Sequence, residues 1–466
     1  MENQYCPYLT VTPTVFCTGT QEQEVRISAK NYHRRARFVL DNTARIKFFR
    51  VDGPVTGWRT WIDDAPAADF IREENGDLVF NVTVPNEGEY VIYLESQKED
   101  GSFAQEQVLC VYALKEDLYK LMPYKGDFHM HSNCSDGKET PEYVAATCRK
   151  NGFDFMALTD HRQYAPSLTA KQAMADYGCD MLVCPGEEVH LPDNPVHIVH
   201  FGGKYSINDL AYNDEAKYRA EVAEYTKKIP ESYDEATRFQ VAASEWTFDR
   251  IREAGGIAMF CHPFWRPWYH NYIGEDVNEL LLEHNKFDVL EVVGGFYRHQ
   301  TECNMLSISR WQEERAKGKK IPVAGISDCH GCDGDLAGWF YTIVFADKLD
   351  FDSIAEAIRD ERSVAVHWIP GEHPVVVGPF RLTKFVYFLI REFYPDTTPS
   401  AMRKARSCAG ILPDTASRMP PLRSGAGPVQ CRNIWNSSGE NESKLIWLFP
   451  RFFWSLSVQL PMPRGI

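Results

Sequence analysis

At 466 residues, with 44% hydrophobic and 25% charged residues, the chain has a globular composition and is too long for one ordinary core, so two or three domains are expected. A formal charge of -15 excludes a surface that coats nucleic acid, because a phosphate backbone would be repelled over most of it; only a local basic pocket stays open. The 13 cysteines are scattered singly, and the opening MENQYCPYLTVTPTVFC lacks a basic stretch followed by an unbroken apolar one, so a reduced, cytoplasmic enzyme is expected.

Residues 1–122 are expected to form a small antiparallel β-sandwich. The segments VRISAK, ARIKFFRV, DLVFNVTV, EYVIYLES and EQVLCVYAL alternate apolar with polar residues and are separated by Asp, Gly, Pro and Asn. No catalytic spacing of His, Asp and Glu occurs there, so a structural or substrate-presenting role is expected.

From Lys125 the texture changes. Short apolar stretches (GDFHMH, FDFMALTDH, DMLVCPGEEV, VHIVHFGG, GGIAMFCHP, FDVLEVVGG, KIPVAGISDCH) alternate with helical ones such as PEYVAATCRKNG and MLSISRWQEERAKG. Strands apolar on both faces, each followed by a helix, imply a parallel α/β sheet covered by helices. Seven such units fit a closed or nearly closed barrel over residues 123–370. Within it, residues 206–254 are expected to form a helical, acidic insertion that roofs the mouth. Residues 371–395 are expected to be helical. The segment 396–466 carries four acidic against nine basic residues and no sustained periodicity. It is read as a disordered tail, a basic arm for an acidic partner, or the product of a shifted reading frame after REFYPD. No stretch approaches the ~20 apolar residues of a spanning helix: the runs around Phe385 and Leu445 are broken by Arg391 and by Pro450 with Arg451.

The strongest local signal is HMHSNCSDG. Side chains two apart on a strand share a face, so His129 and His131 can share a metal ion while Asp136 enters from the turn that Gly137 closes. TDH sets His161 just past a strand end, and PGEEVH sets Glu188 at another. VHIVH supplies His197, CHP supplies His262, and SDCH supplies Asp328 and His330. Parallel barrels bring the C-terminal ends of their strands to one mouth, where active sites are built. Nine metal-type side chains at corresponding ends of six strands exceed what polar loop starts supply by chance.

Mixed imidazole and carboxylate ligands suit Zn, Mn or Fe, and the lack of thiolates at these positions argues against a closed structural zinc site. A carboxylate between two cations lets both hold one hydroxide, a nucleophile available at neutral pH. A third ion can neutralise the nonbridging and leaving oxygens, which fits a phosphate ester better than a neutral one. Phosphate clamping also calls for Arg or Lys. Arg162, Arg266 and Arg298 are candidates, although a loop or helix-surface charge is the commoner use of each. Arg266, between Trp265 and Trp268 in HPFWRPW, is the expected substrate-binding residue, with aromatic walls for an organic group. Cys329 and Cys332 form a lone CxxC, for which a redox or structural-zinc role is a minor alternative.

These motifs resemble the PHP family, named for polymerase and histidinol phosphatase, from roughly Lys125 to Trp368. The resemblance implies a distorted (β/α)7 TIM-like barrel holding three divalent ions. It implies that His129, His131, Glu188 and Asp328 bind the first ion, and that Glu188 bridges to a second held by His197 and His262. Asp136, His161 and His330 would bind the third. Glu188, His262 and Asp328 are expected to serve catalysis. Glu187 beside Glu188, and His200 beside His197, stay open as alternatives; His190, His270 and His299 are read as solvated or packed histidines.

The leading expectation is a phosphoesterase acting on a small phosphorylated metabolite or short nucleotide, with no stable nucleic-acid complex and no membrane partner. A carboxyl ester or carbamate hydrolase is the alternative, because the branch resembling carbaryl hydrolases shares an extra N-terminal region and the KGDxHxHS opening. A noncatalytic metal-binding module is the third possibility, and the full set of nine ligand types weighs against it.

Overall fold

The computed structural model describes residues 9–29, 44–53, 71–97, 100, 103–332 and 336–394. The expectations for 396–466 lie outside these described residues. The N-terminal region contributes β1 (Leu9–Thr12), β2 (Val15–Cys17), β3 (Glu22–Ala29), β4 (Ala44–Arg50), β5 (Arg72–Glu74), β6 (Asp77–Thr83), β7 (Gly88–Gln97) and β8 (Phe103–Leu114). They form two four-stranded sheets, ordered β1-β3-β6-β5 and β2-β8-β7-β4. The period-two pattern decides what each sheet buries. Val25, Ile27, Leu78 and Phe80 of one sheet share a single core with Phe16, Ile46, Ile92 and Val111 of the other.

The second region contains β9 (Met122–Asp127), β10 (Phe155–Ala157), β11 (Leu182–Cys184), β12 (Gly186–Val189), β13 (Ile198–Phe201), β14 (Ile257–Phe260), β15 (Val289–Val293), β16 (Val323–Gly325), β17 (Phe340–Ala346), β18 (Ser363–His367) and β19 (Val375–Val377). These make a mixed α/β arrangement of two sheets, β11-β10-β9-β17-β18-β19 and β12-β13-β14-β15-β16. The expected run of parallel strands needs correction. The strands β9, β10 and β11 are parallel, as are β14, β15 and β16, but β12 with β13, β13 with β14, and β17 with β9 and β18 pair antiparallel. One cause is visible in the sequence: the segment HLPDNPVH between β12 and β13 is shorter than the crossover of roughly a dozen residues that parallel pairing requires. No closed barrel forms among the described residues; isolated bridges, Met130 to Cys329 and His161 to Glu188, connect the two sheets.

The space between these sheets is filled by Phe128, Phe155, Val199, Phe201 and Met259. Phe128 stacks on Phe155 and Phe201 with centroids 4.5 and 4.2 Å apart. Each such buried ring contributes about 1.5–3 kcal/mol, and together they make a rigid floor under the strand ends. The insertion is helical as expected, with helices Ile207–Tyr212, Glu215–Thr226 and Glu235–Glu253. The two longer ones bury Tyr218, Val222, Val241 and Trp246 in a core shared with Ile198, Phe260 and Leu281. The short one docks beside β12. The helix Phe380–Phe388 carries the chain back to the N-terminal region, where Phe385 and Phe388 pack on Tyr112 at 4.8 and 5.3 Å. Among the described residues no helix is long and apolar enough to cross a membrane.

Candidate metal centre

The strand exits are held side by side by one buried carboxylate. Asp127, 1% exposed, accepts the backbone N–H groups of His129 and Ser327 at 3.1 Å each, and burial pushes its pKa up to about 7. Asp328 N donates to His129 O at 3.0 Å and His131 N to Cys329 O at 2.9 Å. The two segments therefore run as a pair, which puts His131 Nε2 3.0 Å from Asp328 Oδ1 across 197 positions of sequence. The Asp of TDH anchors the loop above: Asp160 accepts from Ser132 N, Ser132 Oγ and Ser135 Oγ at 2.8, 2.7 and 2.6 Å. Gly137 is required where the loop closes, because a Cβ there would lie 2.5 Å from His131 O.

Glu188 is the hub. Its carboxylate is 1% exposed; Oε2 lies 2.7 Å from His161 Nδ1 and 3.3 Å from His129 Nε2, and Oε1 lies 2.8 Å from His197 Nδ1 and 3.7 Å from His262 Nε2. A second group closes around Asp136, with His330 Nε2 at 3.2 Å and His161 Nε2 at 3.4 Å. The adjacent alternatives fall on the other side of the strand. Glu187 accepts from Ser206 Oγ at 2.8 Å and from Asn208 N, and His200 Nδ1 lies 3.7 Å from it; both side chains are fully buried away from the cluster. Asp328 and His262 have positive φ values of 49° and 28°, a conformation costing about 1–3 kcal/mol each that the surrounding fold must impose.

Burial and ion pairing between carboxylates and imidazoles set the charges of the site. Burial opposes charge on Glu188, yet His197 and His129 hold its pKa well below the usual carboxylate range; burial likewise opposes charge on Asp328, and His129 and His131 hold it down. Burial pushes His197 down to about 4; burial also opposes charge on His129, His161 and His262, yet the carboxylates of Asp328, Glu188 and Glu291 beside them raise all three. Both oxygens of Glu188 and the Nδ1 atoms of His129 and His131 have no hydrogen-bond partner. Buried polar atoms are ordinarily satisfied, so the two orphan oxygens of Glu188, ringed by histidine nitrogens, fit divalent ions; His129 faces them through its other nitrogen, Nε2. The ligand atoms that lie within 4.8 Å of one another include the sets His129, His131, Asp328; Glu188, His197, His262; and His131, Asp136, His161, His330.

Beside the cluster opens a cavity of about 390 Å³, whose far wall is Trp265, Phe296, Tyr297, Gln300 and Leu336. The loop carrying Phe296 and Tyr297 is fixed by Asn304, whose Oδ1 accepts from Gly294 N at 2.9 Å. Arg266, expected to bind substrate, is absent from this lining; it is 40% exposed and pairs with Glu302 at 3.2 Å and Asn271 at 3.1 Å. Arg298 likewise pairs with Glu372, and Arg162 lies over Tyr212.

Two residues escaped the sequence reading. Glu291 Oε2 accepts from His262 N at 2.9 Å and lies 3.2 Å from its Nδ1, which turns Nε2 toward Glu188. A Glu inside the apolar run FDVLEVVGG was the available signal. His190, set aside as a solvated or packed histidine, stands with Nε2 3.1 Å from His161 Nδ1 and 3.4 Å from Glu188 Oε1. Its signal was the same i, i+2 spacing from Glu188 that joins His129 to His131. His270 bonds the Asn271 carbonyl and His299 stacks near Tyr297, both outside the cluster.

No family model matches the chain. The DNA polymerase/3'-5' exonuclease PolX of Bacillus subtilis (strain 168) is 44% identical over 64 residues, covering 13% of this chain and 11% of that protein. The chain thus aligns with about a ninth of that relative's length. Among solved structures, a two-domain protein from Bacteroides vulgatus ATCC 8482, described as containing a predicted PHP-like metal-dependent phosphoesterase, is 19% identical over 57% of this chain and 70% of its own, with a TM-score of 0.41. An amidohydrolase from Chromobacterium violaceum is 20% identical over 46% of this chain and 89% of its own, with a TM-score of 0.31.

Proposed function

We infer that this chain is a PHP-type metal-dependent hydrolase that cleaves phosphate esters. The observation that carries the reading is the Glu188 carboxylate: 1% exposed, unbonded at both oxygens, and surrounded by the nitrogens of His129, His161, His197 and His262. A charge so buried is tolerated only when opposite charge or a metal offsets its lost hydration. We read the ions as three, of the Zn, Mn or Fe class. His129, His131, Glu188 and Asp328 hold one, Glu188 with His197 and His262 a second, and Asp136, His161 and His330 the third. When bound, such ions supply a nucleophile at neutral pH and neutralise charge on the phosphoryl oxygens.

The chain's own groups do the positioning. Glu291 fixes the tautomer and direction of His262, the kind of outer partner that tunes a ligand's basicity. Asp127 keeps the exits of β9 and β16 paired so that His129, His131 and Asp328 converge. Glu188, His262 and Asp328 line the cavity directly and are the residues we assign to catalysis. Trp265, Phe296 and Tyr297 present ring surface to the organic part of the substrate. We read the two sheets of residues 1–122 as a sandwich and residues 123–370 as an opened, distorted barrel. The unpaired cysteines, Cys148, Cys184 and Cys261 among them, support a reducing compartment, and we place the protein in the cytoplasm.

The substrate we favour is a small phosphorylated metabolite or short nucleotide. The exonuclease name of the curated relative supports a second reading, a nucleic-acid phosphodiester. Purified protein loaded with Mn or Zn, offered p-nitrophenyl phosphate, bis-p-nitrophenyl phosphate, p-nitrophenyl acetate and a short oligonucleotide, tests both. We expect metal-dependent turnover of a phosphate ester. Turnover of the acetate alone would overturn the phosphoesterase reading, and cleavage of the oligonucleotide in preference to the small esters would establish the second.

A further inference from the structure

We propose that His190 is a metal ligand, holding a divalent transition-metal ion together with Glu188 and His161 Nδ1. The inference rests on the metal-dependent reading above and adds a position outside its nine ligands. His190 follows β12, two residues beyond Glu188, so both side chains leave the strand on the same face. The atoms offered by His161, Glu188 and His190 lie within 4.8 Å of one another, and the His190 ring stacks on His197 with centroids 3.9 Å apart.

The backbone that aims this ring is clamped on three sides. Asn208 Oδ1 accepts from His190 N at 3.0 Å while its Nδ2 donates to Glu188 O at 3.2 Å. Tyr212 donates its hydroxyl to His190 O at 2.9 Å. Both clamps come from the helix Ile207–Tyr212, which Ser206 caps at Asp209 N, 3.0 Å away. An insertion helix that grips the backbone on either side of Glu188 and His190 builds a site; a solvated histidine needs no such support. Two imidazoles and one carboxylate, with positions left open, suit Zn, Mn or Fe.

The arrangement carries a constraint. His161 Nε2 faces Asp136 Oδ2 at 3.4 Å while Nδ1 faces His190 at 3.1 Å. A ring bound to metal through both nitrogens must lose both of its protons, so for a neutral His161 the His190 position and the Asp136 position are alternatives. The competing assignment is a hydrogen bond, in which His190 only orients His161.

The test uses the full chain, stripped with chelator and reloaded with 113Cd2+, labelled with 15N-histidine, as wild type and as His190→Gln. We expect a wild-type 15N resonance with one-bond cadmium splitting that the variant lacks. An identical set of split resonances in the variant overturns the proposal and leaves His190 as a hydrogen-bonding partner. Should the variant not fold, carbethoxylation of the wild type decides. Shielding of His190 from diethyl pyrocarbonate by cadmium supports ligation, and equal modification with and without cadmium overturns it. A wild type that takes up no divalent ion fails the metal-dependent reading itself, an outcome distinct from a wild type that binds ions without using His190.

Discussion

At the scale of single residues, the site is organised by which nitrogen or oxygen faces the cluster. Glu188→Gln keeps the volume and removes the charge. It is expected to lower metal-dependent turnover at least about 100-fold, the scale of losing one group that stabilises developing charge, and to lower metal content measured by elemental analysis. Full metal content and activity in this variant would show the carboxylate to be structural. The cavity wall makes a different prediction. Tyr297 is 47% exposed and lines the cavity, whereas Arg266 is held by Glu302 outside it. Tyr297→Ala is therefore expected to raise KM about 5- to 10-fold, the loss of one ring contact, with metal content unchanged, and Arg266→Ala to change KM less; the reverse order in steady-state kinetics would return Arg266 to the substrate. Most of the nine motif residues were legible because they stood just past an apolar run; His197 instead precedes β13 and Asp136 lies in the loop beyond His131. Glu291 and His190 were not singled out, because one lies inside a strand and the other looks like an ordinary loop histidine until helix Ile207–Tyr212 fixes its backbone.

At the scale of elements, paired strand exits and one returning helix do most of the positioning. The helix Phe380–Phe388 is fastened to the N-terminal sheets by Arg381, which bonds Glu87 Oε2 at 2.6 Å and Asp117 Oδ2 at 2.6 Å. The bond to Arg381 holds the Asp117 carboxyl down to about 2 from its ordinary 3.8. A depressed carboxyl pKa contributes stability above the unfolded value that is lost as pH falls toward the folded one, here between about pH 4 and 2. Asp117 is 63% exposed, so solvent screening discounts its share, whereas Glu87 is 12% exposed. Arg381→Ala is expected to cost about 1–2 kcal/mol at pH 7, with the difference in melting temperature shrinking as pH drops through that window; an unchanged melting temperature at pH 7 would show the clasp to be idle. Strand positions were readable from alternation and apolar runs, but short strands such as β1, β2 and β5 were not. Direction was also hidden: an apolar run reads the same whether its neighbour is parallel or antiparallel, which is why the expected all-parallel sheet needed correction.

At the scale of the whole molecule, the two regions share one core: Val15, Tyr112 and Leu114 pack in the same cluster as Met130, Tyr341 and Phe385. The metal cluster, in turn, concentrates like-natured imidazoles and buried carboxylates that ions would tie together. Binding to the native state at 100 times the dissociation constant stabilises by about 2.7 kcal/mol. Chelation is therefore expected to lower the melting temperature by several degrees and Mn or Zn to restore it; a melting curve indifferent to both would mean that the cluster holds no ion. The sequence by itself determined the residue types of the site, their places at strand ends and the change from a sheet-rich to an α/β region. These depend on local periodicity and on chemistry carried by individual side chains. Tertiary structure decided which strands pair antiparallel, that the sheets stay open, that Glu188 rather than Glu187 faces the histidines, and that Arg266 spends its charge on Glu302. Each of those outcomes depends on contacts between residues far apart in the chain, which local periodicity and single side chains do not report.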